Sequence, residues 1–259
     1  MAKEKKDKKA LKNAKKDIWN NYSASEKKAL EKLCLNYRHF LSKCKTEREC
    51  VKEIIFQAQR AGYRDLKDII TNKETLQAGD KVYSVCMNKS VVLFNIGSEP
   101  MENGMNILGA HIDSPRLDIK QNPLYEDGEL AYMDTHYYGG IKKYQWVTVP
   151  LAIHGVVAKK DGTVVDINIG EDDNDPVFCV TDLLIHLAQE QMQKNAAKVI
   201  EGENLDILVG SIPLDGAEKD AVKANVLKIV GKKYGIEEED FLSAELEVVP
   251  AGRAREAGF

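Results

Sequence analysis

The feature that most constrains this chain is a change of hydrophobic period near residue 80. Before it, apolar residues recur at helical spacing; after it, they alternate or run together as in strands. Leu30, Leu33, Tyr37, Phe40 and Leu41 follow Ser23-Ala24-Ser25-Glu26, a serine N-cap with a glutamate three residues on. Val51, Ile54, Ile55 and Ala58 follow a second such box at Thr46 and Glu49. The spacing predicts two amphipathic helices over roughly residues 24–62, with both stripes packed in a core. Residues 81–87 and 90–96 are then β-rich and joined at Asn88-Lys89, as in a hairpin. The second run is apolar enough to predict a buried strand.

A third strand is predicted over Ile107-Leu108-Gly109-Ala110-His111, and it delivers the chain's most informative residues. Positions i and i+2 of a strand share a face, so His111 and Asp113 would stand side by side at its end. That is metal-ligand geometry. The imidazole binds an ion through one nitrogen while a carboxylate accepts from the other and fixes the tautomer. One histidine does not hold a metal by itself.

Beyond Asp118 the character shifts. Gln121-Asn122-Pro123 and Glu126-Asp127-Gly128 are turn-rich and place a boundary near residue 120. A long strand region is expected over residues 147–158, turned back by Lys160-Asp161-Gly162 into 163–169. A helix is expected over 181–194, a strand over 205–210, a helix over 218–234 closing at Gly235, and a last strand over 244–250. The resulting divisions are a basic tail (1–20), an N-terminal α/β layer (21–120), a second α/β unit (121–250) and a return segment (251–259). Residues 1–20 predict a solvated tail, or else an arm that contacts nucleic acid or a partner subunit. Glu171-Asp172-Asp173-Asn174-Asp175 lacks the glycine and distal glutamate of a calcium loop and is expected to be a solvated turn. Glu237 to Asp240 is expected to be an acidic helix N-terminus.

Composition narrows the function classes. A net charge of −4 over 259 residues leaves no nucleic-acid footprint at the level of the whole chain. No apolar run is long enough to span a membrane. Five cysteines, with no Cys-x-x-Cys pair, are read as reduced thiols of a cytoplasmic protein, with a Cys44–Cys50 redox pair as the alternative. There is no phosphate loop, Gly-x-Ser-x-Gly elbow or His-Glu-x-x-His motif.

His111-Ile112-Asp113-Ser114-Pro115, then Tyr138-Gly139-Gly140, then Pro150-Leu151-Ala152-Ile153-His154-Gly155 and residues 169–177, resemble the aspartyl aminopeptidase family of metalloaminopeptidases. The resemblance runs over nearly all of residues 20–259. It implies an α/β fold: the N-terminal part of a phosphorylase/hydrolase-like metallopeptidase domain, plus an inserted α/β dimerisation and lid domain. It also implies two co-catalytic divalent metals, usually zinc, peptide substrates trimmed at their N-terminus, and homo-oligomers from dimers to dodecamers, with no nucleic-acid or membrane partner.

On this resemblance His111 matches the first metal ligand and Asp113 the carboxylate that orients it. His186 lies near a histidine that reaches a neighbouring subunit's active site; the alternative is an ordinary helix-surface residue. His136 and His154 are read as structural. The bridging aspartate, the paired glutamates and the later ligands of the family follow the insert and are not among these residues, so the chain alone is expected to be inactive. Gly139-Gly140-Ile141 departs from three consecutive glycines, and an Asp-Arg-Asp-Leu-like stretch is replaced near residues 147–151. The alternative function is a non-catalytic interaction module formed by residues 121–250.

Overall fold

The structure is a computed structural model and describes residues 19–258. The basic tail lies outside the described residues, apart from its last two. The chain divides into two compact units, Met1–Lys43 with Arg253–Phe259, and Cys44–Gly252.

In the first unit, helix α1 (Ala24–Lys43) begins at the expected box. The Ser23 amide donates to Glu26 Oε2 at 2.7 Å, and the Glu26 amide donates to Ser23 Oγ. Within the same unit Arg38 pairs with Glu256 at 3.1 Å, and the Ala254 amide donates to Ser42 Oγ. The core expected under α1 is not found. None of its residues is buried, and Leu33 and Tyr37 stand in solvent. Spacing builds the apolar stripe, but a stripe is buried only where another surface covers it.

The second unit opens with α2 (Glu47–Arg60), where the Thr46 and Glu49 side chains complete a reciprocal capping box. A short strand β1 (Arg64–Asp65), helix α3 (Leu66–Thr71) and the hairpin β2 (Lys81–Cys86) and β3 (Ser90–Asn95) follow. β1 pairs with β2 in parallel and β2 with β3 antiparallel. Met87 and Asn88 both take positive φ in the hairpin turn. β3 is mostly exposed, against the buried strand expected from its apolar run.

The larger sheet is antiparallel throughout its seven strands. They are β4 (Arg116–Asp127), β5 (Leu130–Tyr138), β6 (Leu151–Ala158), β7 (Val164–Ile169), β8 (Cys179–Val180), β9 (Ile207–Gly210) and β10 (Ala244–Pro250). Their order is β7-β6-β10-β4-β5-β9-β8. One face is apolar. Leu117, Ile153, Val157, Leu246 and Val248 pack with Phe241 and with Val222 and Val226 of α4 (Ala221–Tyr234) in a single buried cluster. The other face is charged. In register across it run Asn168, His154, Glu247, Asp118 and His136, one from each of five adjacent strands. The first turn of α2 lies over this face, where Glu47 bonds Arg116 and Glu49 bonds His154.

Three local expectations are corrected. Residues 104–115 form no strand; Leu108 is fully exposed and no ladder partner lies beside the segment among the described residues. Backbone of strand type becomes a strand only with a neighbour to bond. Residues 181–194 form turns and a short 3-10 segment (Gln191–Gln193) rather than a helix. Leu183, Leu184, Leu187 and Met192 find no surface and stay exposed. The turn expected at Gln121–Pro123 is a register shift inside β4, between Ile119 and Leu124.

Candidate metal centre and the charge network behind it

His111 stands at the end of the extended loop that leads into β4, with its side chain 84% exposed. Its Nδ1 lies 3.1 Å from Asp113 Oδ1 and 3.0 Å from the Asp113 carbonyl oxygen. The i and i+2 relationship therefore places the two side chains together, although the strand meant to carry it is absent. Two acceptors at Nδ1 select the tautomer whose proton sits there. Nε2 makes no hydrogen bond among the described residues and keeps its lone pair for an incoming ligand.

Asp113 is itself held. Tyr138 is the last residue of β5 and lies directly opposite Arg116, the first residue of β4. From there its hydroxyl reaches past the strand end and donates to Asp113 Oδ2 at 3.0 Å. This bond first, and the His111 ring after it, keep the Asp113 carboxyl below the usual carboxylate range. The Arg116 guanidinium lies 4.0 Å from the centroid of the Tyr138 ring.

Arg116 is buried, and three carboxylates surround it. Nη1 donates to Glu47 Oε1 at 2.7 Å and Nε to Asp118 Oδ1 at 2.7 Å, while Glu247 Oε2 lies 3.3 Å from Nε. Burial opposes the charge, but these carboxylates more than offset it and raise the Arg116 pKa. Glu47 Oε2 and Glu247 Oε2 are buried and neither makes a hydrogen bond, although Glu247 Oε2 lies close to the Arg116 guanidinium. Burial, then the neighbouring Glu47 charge, push Glu247 up to about 8. A proton on Glu247 at neutral pH supplies the donor that two facing carboxylates lack.

Alongside lies a second cluster. His154 is 2% exposed, with Nδ1 2.7 Å from Glu49 Oε1 and Nε2 3.1 Å from Glu171 Oε1. Burial raises Glu49, but its bonds to His154 and to the Lys45 and Thr46 amides carry it below the ordinary value. Lys45 pairs with Glu171 and donates to the carbonyls of Pro250 and Gly252, both at 2.8 Å. Glu171 is thus no part of a solvated turn, as its acidic neighbours had suggested. The acidic helix start expected over Glu237 to Asp240 is found as a 3-10 segment (Glu238–Ser243), in which Asp240 is buried and closes a reciprocal cap with Glu237.

The remaining histidines separate. His154, read as structural, is buried between two carboxylates, while His136 is exposed and stacks on Tyr137. His186 is exposed in a turn and lines a shallow groove with Leu183, Leu187, Glu190 and Lys194. Neither His111 nor Asp113 lines that groove. Among the described residues no group of three or more His, Cys, Asp or Glu side chains converges as a metal site. The cysteines, Cys44 and Cys50 included, are free thiols. The sequence pattern pointed to His111 and Asp113 but assigned no role to Arg116 or Tyr138. Their only local signals are the Arg116-x-Asp118 alternation at the start of β4 and the tyrosine before the glycine pair.

Residues 40–259 match the profile of the family described as aminopeptidase I zinc metalloprotease (M18). A probable M18 family aminopeptidase 1 of Clostridium acetobutylicum is 61% identical over 245 residues, covering 94% of this chain and 53% of the relative. The crystal structure of an M18 family aminopeptidase from Thermotoga maritima superposes with a TM-score of 0.85 at 46% identity, over 93% of this chain and 51% of that one. A more distant structure, the S. cerevisiae mApe1 dodecamer, shares the fold at 18% identity and a TM-score of 0.61, over 86% of this chain and 49% of that one. The chain spans about half the length of the relatives it matches. It belongs to the aminopeptidase I (M18) family of zinc metalloproteases.

Proposed function

We propose that this chain forms part of a metal-dependent aminopeptidase that removes N-terminal residues from peptides. His111 is read as a metal ligand and Asp113 as the carboxylate that orients it. The observation that carries the reading is the His111–Asp113 geometry: Nδ1 is held by two acceptors and Nε2 is left open. The donor fits one corner of a zinc site. Zinc, when bound, supplies a Lewis acid that lowers the pKa of water and polarises a carbonyl. Asp113 makes the imidazole a better donor and fixes where its lone pair points.

A catalytic zinc takes three protein ligands and keeps one open position. A single such ligand, His111, supports the further reading that the 259 residues alone bind zinc weakly and do not turn over. The two co-catalytic metals, and a role for His186 in a neighbouring subunit's site, rest on the family resemblance. So does a cytoplasmic location. Among the described residues, no helix is long and apolar enough to cross a membrane. Self-association is favoured by one observation: Leu183, Leu184, Ile185, Leu187 and Met192 form an exposed apolar stretch around His186. The mApe1 structure is itself described as a dodecamer.

The test is an aminopeptidase assay with zinc-loaded protein, run on the whole protein that contains this chain and on the chain itself. Metal-dependent hydrolysis by the whole protein, abolished by His111→Ala, is the expected result. A whole protein without hydrolysis sinks the enzyme reading. Hydrolysis by the 259 residues, lost in His111→Ala, sinks the inactivity reading. Sedimentation of the chain as a strict monomer at high concentration would count against self-association.

A further inference from the structure

We propose that Tyr138 is the positioning residue for the His111–Asp113 pair, clamping one carboxylate oxygen so that the other faces the imidazole. The proposal rests on the metal-ligand reading of His111 and deepens it.

The argument starts from register. β4 and β5 pair with Arg116 opposite Tyr138, and Asp113 lies three residues before β4 begins. A tyrosine at the last position of β5 is therefore long enough to reach the loop that a shorter side chain would miss. A free aspartate at the edge of a loop rotates about two torsions, and either oxygen, or neither, can meet the histidine. Here Oδ2 is taken by the Tyr138 hydroxyl at 3.0 Å, and Oδ1 lies 3.1 Å from His111 Nδ1.

The phenol is in turn held from behind. Its ring lies 4.0 Å below the Arg116 guanidinium. Arg116 itself is fixed by Glu47 of α2, Asp118 of β4 and Glu247 of β10. A buried cation with three carboxylate partners on three elements does not shift without breaking charged bonds. The exposed His111 thus connects, through Asp113, Tyr138 and Arg116, to the rigid charged face of the sheet. A ligand histidine on a loop gains the orientation that a strand would otherwise have given it.

Tyr138→Phe keeps the ring on Arg116 and removes only the hydroxyl. The readout is the His111 tautomer in the 259-residue chain, from ¹⁵N-edited imidazole spectra at a pH where the ring is neutral. The ratio of Nδ1–H to Nε2–H forms is expected to fall about two- to ten-fold in Tyr138→Phe, the range spanned by one net hydrogen bond. Asp113→Asn should change it at least as much. A purely structural tyrosine would leave the ratio alone. A second measurement does not depend on how Tyr138→Phe folds. The Tyr138 hydroxyl proton should be observable in the parent and lost to exchange in Asp113→Ala, which alters only the loop. An unchanged ratio in Tyr138→Phe, or a hydroxyl signal indifferent to Asp113→Ala, overturns the proposal. Neither readout needs metal or substrate. Absent hydrolysis in the whole protein would overturn the aminopeptidase reading while leaving the tautomer shift in place.

Discussion

His154 on β6 meets Glu49 on α2 across 105 residues of sequence, with 2.7 Å between Nδ1 and Oε1 in a buried setting. The other ring nitrogen faces Glu171, so the imidazole stands between two carboxylates. It bonds the polar face of the sheet to the helix that covers it. Truncation to alanine takes the imidazole away from both Glu49 and Glu171. Removing one member of such a buried set costs about 3–5 kcal/mol. His154→Ala is expected to lose that much in urea unfolding followed by far-UV circular dichroism. A change under about 1 kcal/mol, the worth of an exposed pair, would show that the cluster contributes little.

Glu247 predicts a pH dependence with a definite sign. Its folded pKa of about 8 lies above the ordinary glutamate value near 4.3. The unfolded chain therefore gives up this proton first. The contribution is fully present below pH ~4.3 and is lost progressively up to pH ~8, where the folded state also ionises. Glu247→Gln carries a permanently neutral group and escapes the loss. Its stability relative to the parent should rise from pH 5 to pH 8 by a few kcal/mol at most, then level off. Urea midpoints at pH 5, 6.5, 8 and 9 measure this. Parallel curves for the two proteins would contradict it.

Where the sequence was legible, a local pattern and its tertiary context agreed. β10 occupies residues 244–250 as read, α4 ends at Gly235, and the Thr46–Glu49 box starts α2. Each of these is set by alternation, by a terminator or by a cap within a few residues. The strand over 107–111 and the helix over 181–194 failed for one shared reason. Both patterns were real, but each needed a partner surface that the described residues do not offer, and Leu108 and Leu184 remain exposed. The site was half legible. His111 and Asp113 are neighbours in sequence. Arg116 and Tyr138 meet only through a strand register across a hairpin, and Glu47 and Glu247 only through the docking of α2 on β10. Neither leaves a local trace.

Thr46 tests a feature that the sequence displayed openly. Its hydroxyl accepts from the Glu49 amide, and the Glu49 side chain accepts from the Thr46 amide. Thr46→Ala removes one half of this exchange and should cost about 1 kcal/mol, the usual worth of an N-cap. Glu49 also serves His154, so Glu49→Ala should cost clearly more. Equal losses in the two variants, measured by urea unfolding, would show that the Glu49–His154 bond adds nothing beyond the cap.

Gly155 gives the sharpest test of how β6 fits β10. It sits in mid-strand at φ +144°, opposite Leu246. A Cβ built there would lie 2.0 Å from the Glu245 carbonyl oxygen and 3.0 Å from Leu246 Cα, both of them backbone atoms that cannot rotate away. The Glu245 side chain binds Arg48 and Lys89, so moving its backbone also disturbs the contact with α2 and the hairpin. Gly155→Ala combines overpacking with an unfavourable φ and should cost about 2–4 kcal/mol. Gly162 is the control. It has φ +84° in the turn after β6, with nothing within 4 Å of its built Cβ. Gly162→Ala carries the backbone strain alone, about 1–2 kcal/mol. The excess of the first variant over the second isolates the steric clash between the two strands. If both lose the same stability, β10 can yield at Glu245, and the charged face is softer than its packing indicates.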